Sequence, residues 1–74
     1  MSNLDRQRRY EQRRKVKIRA RTLARSGDYA SHREVISRLA ASEDPAVIQE
    51  LLEDRSFRAQ LDKLCAMAQG RRSA

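Results

Sequence analysis

The stretch SFRAQLDKLCAMAQG, residues 56–70, decides the fold. Its apolar side chains recur at the spacing that places them on one face of an α-helix, which Ser56 can cap and Gly70 can close. These apolar residues are Phe57, Leu61, Leu64, Cys65 and Ala68. A single amphipathic helix of this length is only marginally stable in water, so other helices must cover its apolar face.

A short amphipathic helix is predicted directly before this stretch, over residues 45–53. Asp44 is its N-cap, and Pro45 takes the first helical position, where proline is favoured. Its apolar stripe consists of Val47, Ile48, Leu51 and Leu52. The helix therefore has one face for the core and one face for water.

Another short helix is predicted over residues 31–41. Ser31 and Glu34 match the S-x-x-E capping box that marks a helix N-terminus. The apolar stripe consists of Val35, Ile36, Leu39 and Ala40. Tyr29, which lies just before the cap, is expected to pack on the same core.

A long first helix is predicted to end at Ser26-Gly27, since no glycine or proline interrupts the residues before that point. Its apolar stripe is confined to Val16, Ala20, Leu23 and Ala24. The sequence thus predicts an all-α fold, with a long basic N-terminal helix and a compact bundle of three short helices. Residues 1–15 are expected to form a basic arm, flexible or disordered when free and helical when bound. Residues 16–70 form a small four-helix domain and residues 71–74 a frayed tail in this interpretation.

Positive charge is concentrated in the first helix. Residues 1–25 contain ten of the seventeen lysines and arginines and only two acids, which gives them a net charge of +8 against +7 for the whole chain. Arginine outnumbers lysine there by eight to two. Such a block is unfavourable unless an anion neutralises it, and arginine favours bidentate phosphate contacts and stacking on bases. The residues predicted to bind nucleic acid are Arg6, Arg8, Arg9, Tyr10, Arg13, Arg14, Lys15, Lys17, Arg19 and Arg21.

The run DRQRRYEQRRK, residues 5–15, resembles the arginine-rich motif of lambdoid phage N antiterminators and related RNA-binding peptides. The resemblance implies a helix that lies in the major groove of an RNA hairpin, with Tyr10 as a stacking residue. It slightly favours RNA over DNA as the ligand. It covers only this N-terminal run and implies nothing about residues 26–74.

The sequence offers little for catalysis or metal binding. His32 is the only histidine and is interpreted as a surface or capping side chain, and Cys65 lies on an apolar stripe and is interpreted as a core residue. The chain is therefore expected not to be an enzyme and to use no cofactor or metal. A single cysteine favours a reducing compartment, so a cytoplasmic location is expected. No apolar run approaches the roughly twenty residues that a membrane span needs.

Two functional classes remain open. In the first, the chain is a small nucleic-acid-binding regulatory or adaptor protein of bacterial or phage type, whose basic helix contacts RNA or DNA while helices two to four dock a protein partner. In the second, it is a protein–protein interaction module or inhibitor whose basic helix binds an acidic protein surface. A helix-turn-helix that reads DNA through residues 45–53 is disfavoured, because that helix contains no lysine or arginine and carries Glu50 and Glu53. A homodimer through the exposed parts of Leu51, Leu52 or Met67 is a further alternative.

Overall fold

The protein is a bundle of four α-helices. The computed structural model describes the backbone of residues 3–73 and the side chains of residues 8–71, and it contains no strand within that range. The helices are α1 (Asn3–Arg25), α2 (His32–Ala40), α3 (Pro45–Glu53) and α4 (Arg55–Ser73). The two long helices, α1 and α4, pack against each other most extensively, and α2 and α3 pack against both. The all-α prediction is confirmed.

One apolar core joins the four helices, and the predicted stripes supply it. Its buried side chains are Val16, Ala20 and Ala24 of α1, Val35, Ile36 and Leu39 of α2, Val47, Ile48 and Leu51 of α3, and Phe57, Leu61 and Cys65 of α4. Leu23, Tyr29 and Leu64 are partly buried against it, as predicted. Ala40 and Leu52 are exposed, because each lies at the edge of its stripe where no other helix covers it.

The turn after α1 is fixed by Gly27. Its φ of 84° is the only positive φ in the described part of the chain, and glycine adopts this conformation without the steric cost that a Cβ imposes. The Gly27 carbonyl accepts a hydrogen bond from Gln69 Nε2 at 3.1 Å. The end of α1 is therefore held against α4.

The N-terminus of α2 is capped from another helix. Ser31 occupies the N-cap position, but its side chain makes no capping hydrogen bond, so the predicted capping box is wrong. The Glu34 carboxylate accepts instead from the amide of Ala30. Asp62 of α4 supplies the cap, since its Oδ1 accepts from the His32 amide at 2.8 Å and lies 2.8 Å from His32 Nδ1.

Asp54 joins α3 to α4 and replaces the predicted cap at Ser56. Its Oδ1 accepts a hydrogen bond from the Phe57 amide at 3.0 Å, so α4 begins at Arg55. A carboxylate at this position also interacts favourably with the helix dipole, which a serine hydroxyl does less strongly. The bond from the Phe57 amide, followed by the bond from Lys17, holds the pKa of Asp54 below its usual value despite partial desolvation.

The C-terminal end of α4 lies beyond the predicted one. The helix continues through Gly70 to Ser73, so the predicted end at Gly70 is wrong. Gly70 does not take the left-handed conformation that would end a helix, and a glycine inside a helix costs only about 1 kcal/mol. The fraying predicted for residues 71–74 stays a prediction, and Ala74 lies outside the described residues.

Candidate nucleic-acid interface

The basic residues of α1 divide into two groups, and the first group is paired with side chains of the other helices. Arg13 Nε lies 3.5 Å from Glu50 Oε2 of α3. One turn further on, Lys17 Nζ lies 3.2 Å from Asp54 Oδ2. Both pairs join residues four apart on α1 to residues four apart in α3 and its C-cap, so this side of α1 faces the C-terminal part of α3.

Two more paired residues lie on either side of this row. Arg19 Nη1 donates a hydrogen bond to Glu43 Oε1 in the α2–α3 loop. Arg21 Nε donates to Gln60 Oε1 of α4 at 3.3 Å. Most of these pairs are substantially exposed, so each contributes roughly 0–1 kcal/mol to stability. These four contacts involve the basic residues of α1 that face the other helices.

Phe57 adds a second interaction for two of the paired residues. Lys17 Nζ lies 5.1 Å from the centroid of the Phe57 ring, and Arg21 Cζ lies 5.4 Å from it. A cation at this distance over an aromatic face contributes about 0.5–1 kcal/mol at an exposed site. The Phe57 ring is buried in the core near the N-terminal end of α4, so these contacts link the basic residues of α1 to the start of α4.

The second group of basic residues is unpaired. Arg8, Arg9, Arg14, Lys15 and Arg25 are exposed, and none has an ion-pair partner among residues 8–71. Arg25 lies in the last turn of α1, next to the buried Ala24, and we call the other four residues the unpaired set. Glu11 is the one acid of α1 among the described side chains, and it forms no salt bridge with any of them.

Two members of the unpaired set, Arg8 and Arg9, lie where α1 extends beyond the rest of the bundle. Arg9 is two turns before Val16 on the same side of the helix, yet Arg9 is exposed and Val16 is buried. No described part of another helix therefore covers α1 at Arg9. Arg14 and Lys15 lie further along, on the sides that face away from the core. Arg8 and Arg9 thus lie on a projecting part of α1, Arg14 and Lys15 lie on its outer sides beside the bundle, and all four are open to a ligand.

Tyr10 borders a basic groove on α1. The residues that line this groove are Tyr10, Arg13, Arg14, Lys17 and Arg21, and its volume is about 350 Å³. Tyr10 itself is 63% exposed, so its ring is available for stacking. The structure therefore brings five of the predicted binding residues together on one side of the helix. Arg6 was also predicted, but its side chain lies outside the described residues.

The acids that pair with α1 are not among the functional residues predicted from the sequence. Glu43, Glu50 and Asp54 are close together in sequence, which is also typical of an ordinary solvent-exposed surface. The signal that could have identified two of them is the spacing of Glu50 and Asp54, which equals that of Arg13 and Lys17 on α1. The pairing itself depends on how the helices pack, which the sequence pattern does not specify.

Cys65 and His32, the cysteine and the histidine of this chain, make structural contacts. Cys65 is buried, and desolvation, followed by the charges of Asp62 and Glu34, raises the pKa of its thiol. Asp62 pairs with His32, so the only histidine has a structural contact. Within the described residues, no group of three or more histidine, cysteine, aspartate or glutamate side chains could hold a metal ion. None of the helices described is long and apolar enough to cross a bilayer.

Comparison with known proteins identifies no relative of this chain. No family model matches the sequence, no curated protein matches it, and no solved structure matches the fold. The resemblance of residues 5–15 to arginine-rich RNA-binding peptides therefore stays a prediction.

Proposed function

We propose that this chain is a small cytoplasmic nucleic-acid-binding regulatory or adaptor protein. The unpaired set on α1 contacts phosphates of RNA, in preference to DNA, and the rest of the bundle docks a protein partner. The observation that carries this proposal is the division of the basic residues of α1. Arg13, Lys17 and Arg19, which face the bundle, are paired with acids of the other helices, whereas the unpaired set, on the projecting end and the outer sides of α1, is not.

Electrostatics favours a polyanion as the ligand of the unpaired set. Each phosphate that a lysine or arginine neutralises releases condensed counterions. Four such contacts give a slope of about −3 for the logarithm of the binding constant against the logarithm of the salt concentration. Three of the four residues are arginines, whose planar guanidinium groups bind phosphate in a bidentate manner and stack on exposed bases. Nucleobases in RNA loops that are not base-paired offer such stacking more often than duplex DNA does. Tyr10 adds an aromatic surface beside the arginines.

The paired bases have a different role in this proposal. The buried residues Val16, Ala20 and Ala24 hold α1 against the bundle, and Arg13, Lys17 and Arg19 line the side of α1 that faces it. Their ion pairs are partly exposed and contribute little to stability, so a phosphate could displace the carboxylates at small cost. They would then form additional contacts after the unpaired set has bound.

The test replaces the unpaired set and compares the result with an equal loss of charge elsewhere. The variant carries Arg8→Gln, Arg9→Gln, Arg14→Gln and Lys15→Gln. The matched control carries Arg33→Gln, Arg55→Gln, Lys63→Gln and Arg71→Gln, four exposed bases outside α1. Affinities for a hairpin RNA, a DNA duplex and a single strand are measured over a salt series.

We expect the variant of the unpaired set to lose at least tenfold in affinity for hairpin RNA at about 0.1 M salt and to lose about 3 from the salt slope. The control should change affinity by less than about threefold. Equal losses in the two proteins would mean that net charge alone drives binding and would refute the proposed site.

A second candidate function is a protein–protein interaction module or inhibitor whose basic helix binds an acidic protein surface. The observation in its favour is Ile18, which is 50% exposed in the middle of α1. A nucleic-acid ligand has no apolar side chain to cover it. Absence of binding to all three nucleic acids at low salt would favour this function over the first.

A further inference from the structure

Ile18 lies between two surface depressions along α1. The first depression has a volume of about 330 Å³ and is lined in part by Ile18, Leu23 and Leu39. The second has a volume of about 430 Å³ and shares Ile18 and Arg19 with the first. The two depressions form one continuous surface, which we call the Ile18 groove. It runs along α1 and reaches α2.

Ile18 is the apolar side chain of this groove that the core does not use. Ile18 points away from the buried row of Val16 and Ala20, and a β-branched residue is not favoured at an exposed helix position by propensity. Isolated exposed apolar residues are common on protein surfaces and need no explanation. Ile18 differs because Leu23 and Leu39 continue the apolar surface into the first depression.

Positive charge borders the groove. Lys15 lines the second depression, Arg38 of α2 lines the first, and Arg19 lies between them. The only acid that lines either depression is Glu43, which is paired with Arg19. Lys15 and Arg38 have no ion-pair partner among residues 8–71, so they remain available to carboxylates of a ligand.

We propose that the Ile18 groove binds an acidic amphipathic segment of a partner protein. Apolar side chains of that segment would contact Ile18 and Leu23, and a carboxylate would pair with Arg38. An acidic protein segment is favoured over nucleic acid because the floor of the groove is apolar. It is favoured over a second copy of this chain because each copy carries +7 and two copies repel. The inference rests on the adaptor part of the proposed function, whose protein partner it describes.

The test uses two synthetic peptides with the same composition. One is an eighteen-residue helix-forming peptide with leucines along one face and glutamates elsewhere, and the other is a scrambled form without an apolar face. The full chain is compared with Ile18→Ser, with Arg38→Gln and with the control Met67→Ser. Met67 is 49% exposed on α4 and thus matches Ile18 in exposure but lies outside the groove. Circular dichroism checks that each variant is folded.

The intact chain is expected to bind the amphipathic peptide at least tenfold more tightly than the scrambled one. Ile18→Ser should remove about tenfold of that affinity and Arg38→Gln about threefold, while Met67→Ser leaves it unchanged. Equal affinity for the two peptides, or equal effects of the Ile18 and Met67 substitutions, would overturn the proposal. So would a concentration-dependent dimer that Ile18→Ser abolishes.

A nucleic-acid titration separates this result from the proposed function. Ile18→Ser should keep the affinity of the intact chain for hairpin RNA, because it removes no charge. Loss of RNA binding together with peptide binding in this variant would show that the groove is part of the nucleic-acid site and would overturn the assignment to a protein partner.

Discussion

Asp62 should be the most important polar side chain for stability, because it caps α2 from α4. Replacement by alanine removes two contacts with His32, one to the backbone amide and one to the ring. Hydrogen bonds to a charged group contribute about 1.5–3 kcal/mol, and a helix cap about 1 kcal/mol. The Asp62 side chain is 47% exposed, so water screens part of this interaction. We expect Asp62→Ala to lower the free energy of unfolding by about 1–2 kcal/mol.

Ser31→Ala is the matched control for this prediction. Ser31 occupies the N-cap position of α2, but its side chain makes no capping hydrogen bond. Removing its hydroxyl should therefore lower the free energy of unfolding by less than about 0.5 kcal/mol. Asp62→Asn keeps an acceptor for the His32 amide and should fall between the two. Urea unfolding at pH 7, followed by circular dichroism, measures all three free energies. A cost for Ser31→Ala equal to or larger than that for Asp62→Ala would refute the cap from α4.

Three further predictions concern pH, glycine and the acidic partners of α1. The pKa of both Asp54 and Asp62 is lowered in the folded state. For Asp62, desolvation raises the pKa, but the hydrogen bonds from His32 and the charges of His32 and Arg33 together outweigh it. The stabilisation by these two carboxylates is therefore complete above about pH 4 and is lost as pH falls through the folded-state pKa values. Acid titration of the unfolding free energy should show this loss, and a stability independent of pH between 5 and 2 would contradict it. Gly27→Ala should destabilise by about 1 kcal/mol or more because of its positive φ, whereas Gly70→Ala should be neutral or stabilise by up to about 1 kcal/mol because the position is helical and open. Thermal unfolding distinguishes these signs. Glu50→Gln should strengthen RNA binding at low salt by freeing its arginine partner, and weaker binding would exclude a direct role for that arginine.

Features of the fold that depend on local spacing could be predicted from the sequence. The stripe from Phe57 to Ala68 and the start of α3 at Asp44-Pro45 are set by neighbours a few residues away, and the structure has both. Asp44 accepts a hydrogen bond from the Ala46 amide at 2.9 Å, as expected for an N-cap. Helical periodicity and capping are short-range effects, so one sequence contains the information they need.

Features that depend on distant partners could not be predicted. The cap of α2 comes from Asp62, thirty residues further along the chain, and a nearby serine satisfied the local pattern equally well. The division of the α1 bases into paired and unpaired residues depends on which side of α1 faces Glu50 and Asp54. Charge composition alone treated Arg13 and Arg14 as equivalent, although the first is paired and the second is exposed without a partner.

The division of the α1 bases is tested most directly by comparing two variants that each lose four of them. One replaces Arg8, Arg9, Arg14 and Lys15 with glutamine, and the other replaces the paired residues Arg13, Lys17, Arg19 and Arg21. The measurement is the slope of log K for hairpin RNA against log salt, taken together with the unfolding free energy of each variant.

The variant of the unpaired set should lose about 3 from the slope and keep the stability of the intact chain. The variant of the paired residues should lose about 1–3 kcal/mol of stability and lose less from the slope than the variant of the unpaired set, because its residues reach phosphate only after they leave their carboxylate partners. A larger loss of slope in the paired variant, with the unpaired variant binding like the intact chain, would contradict the account.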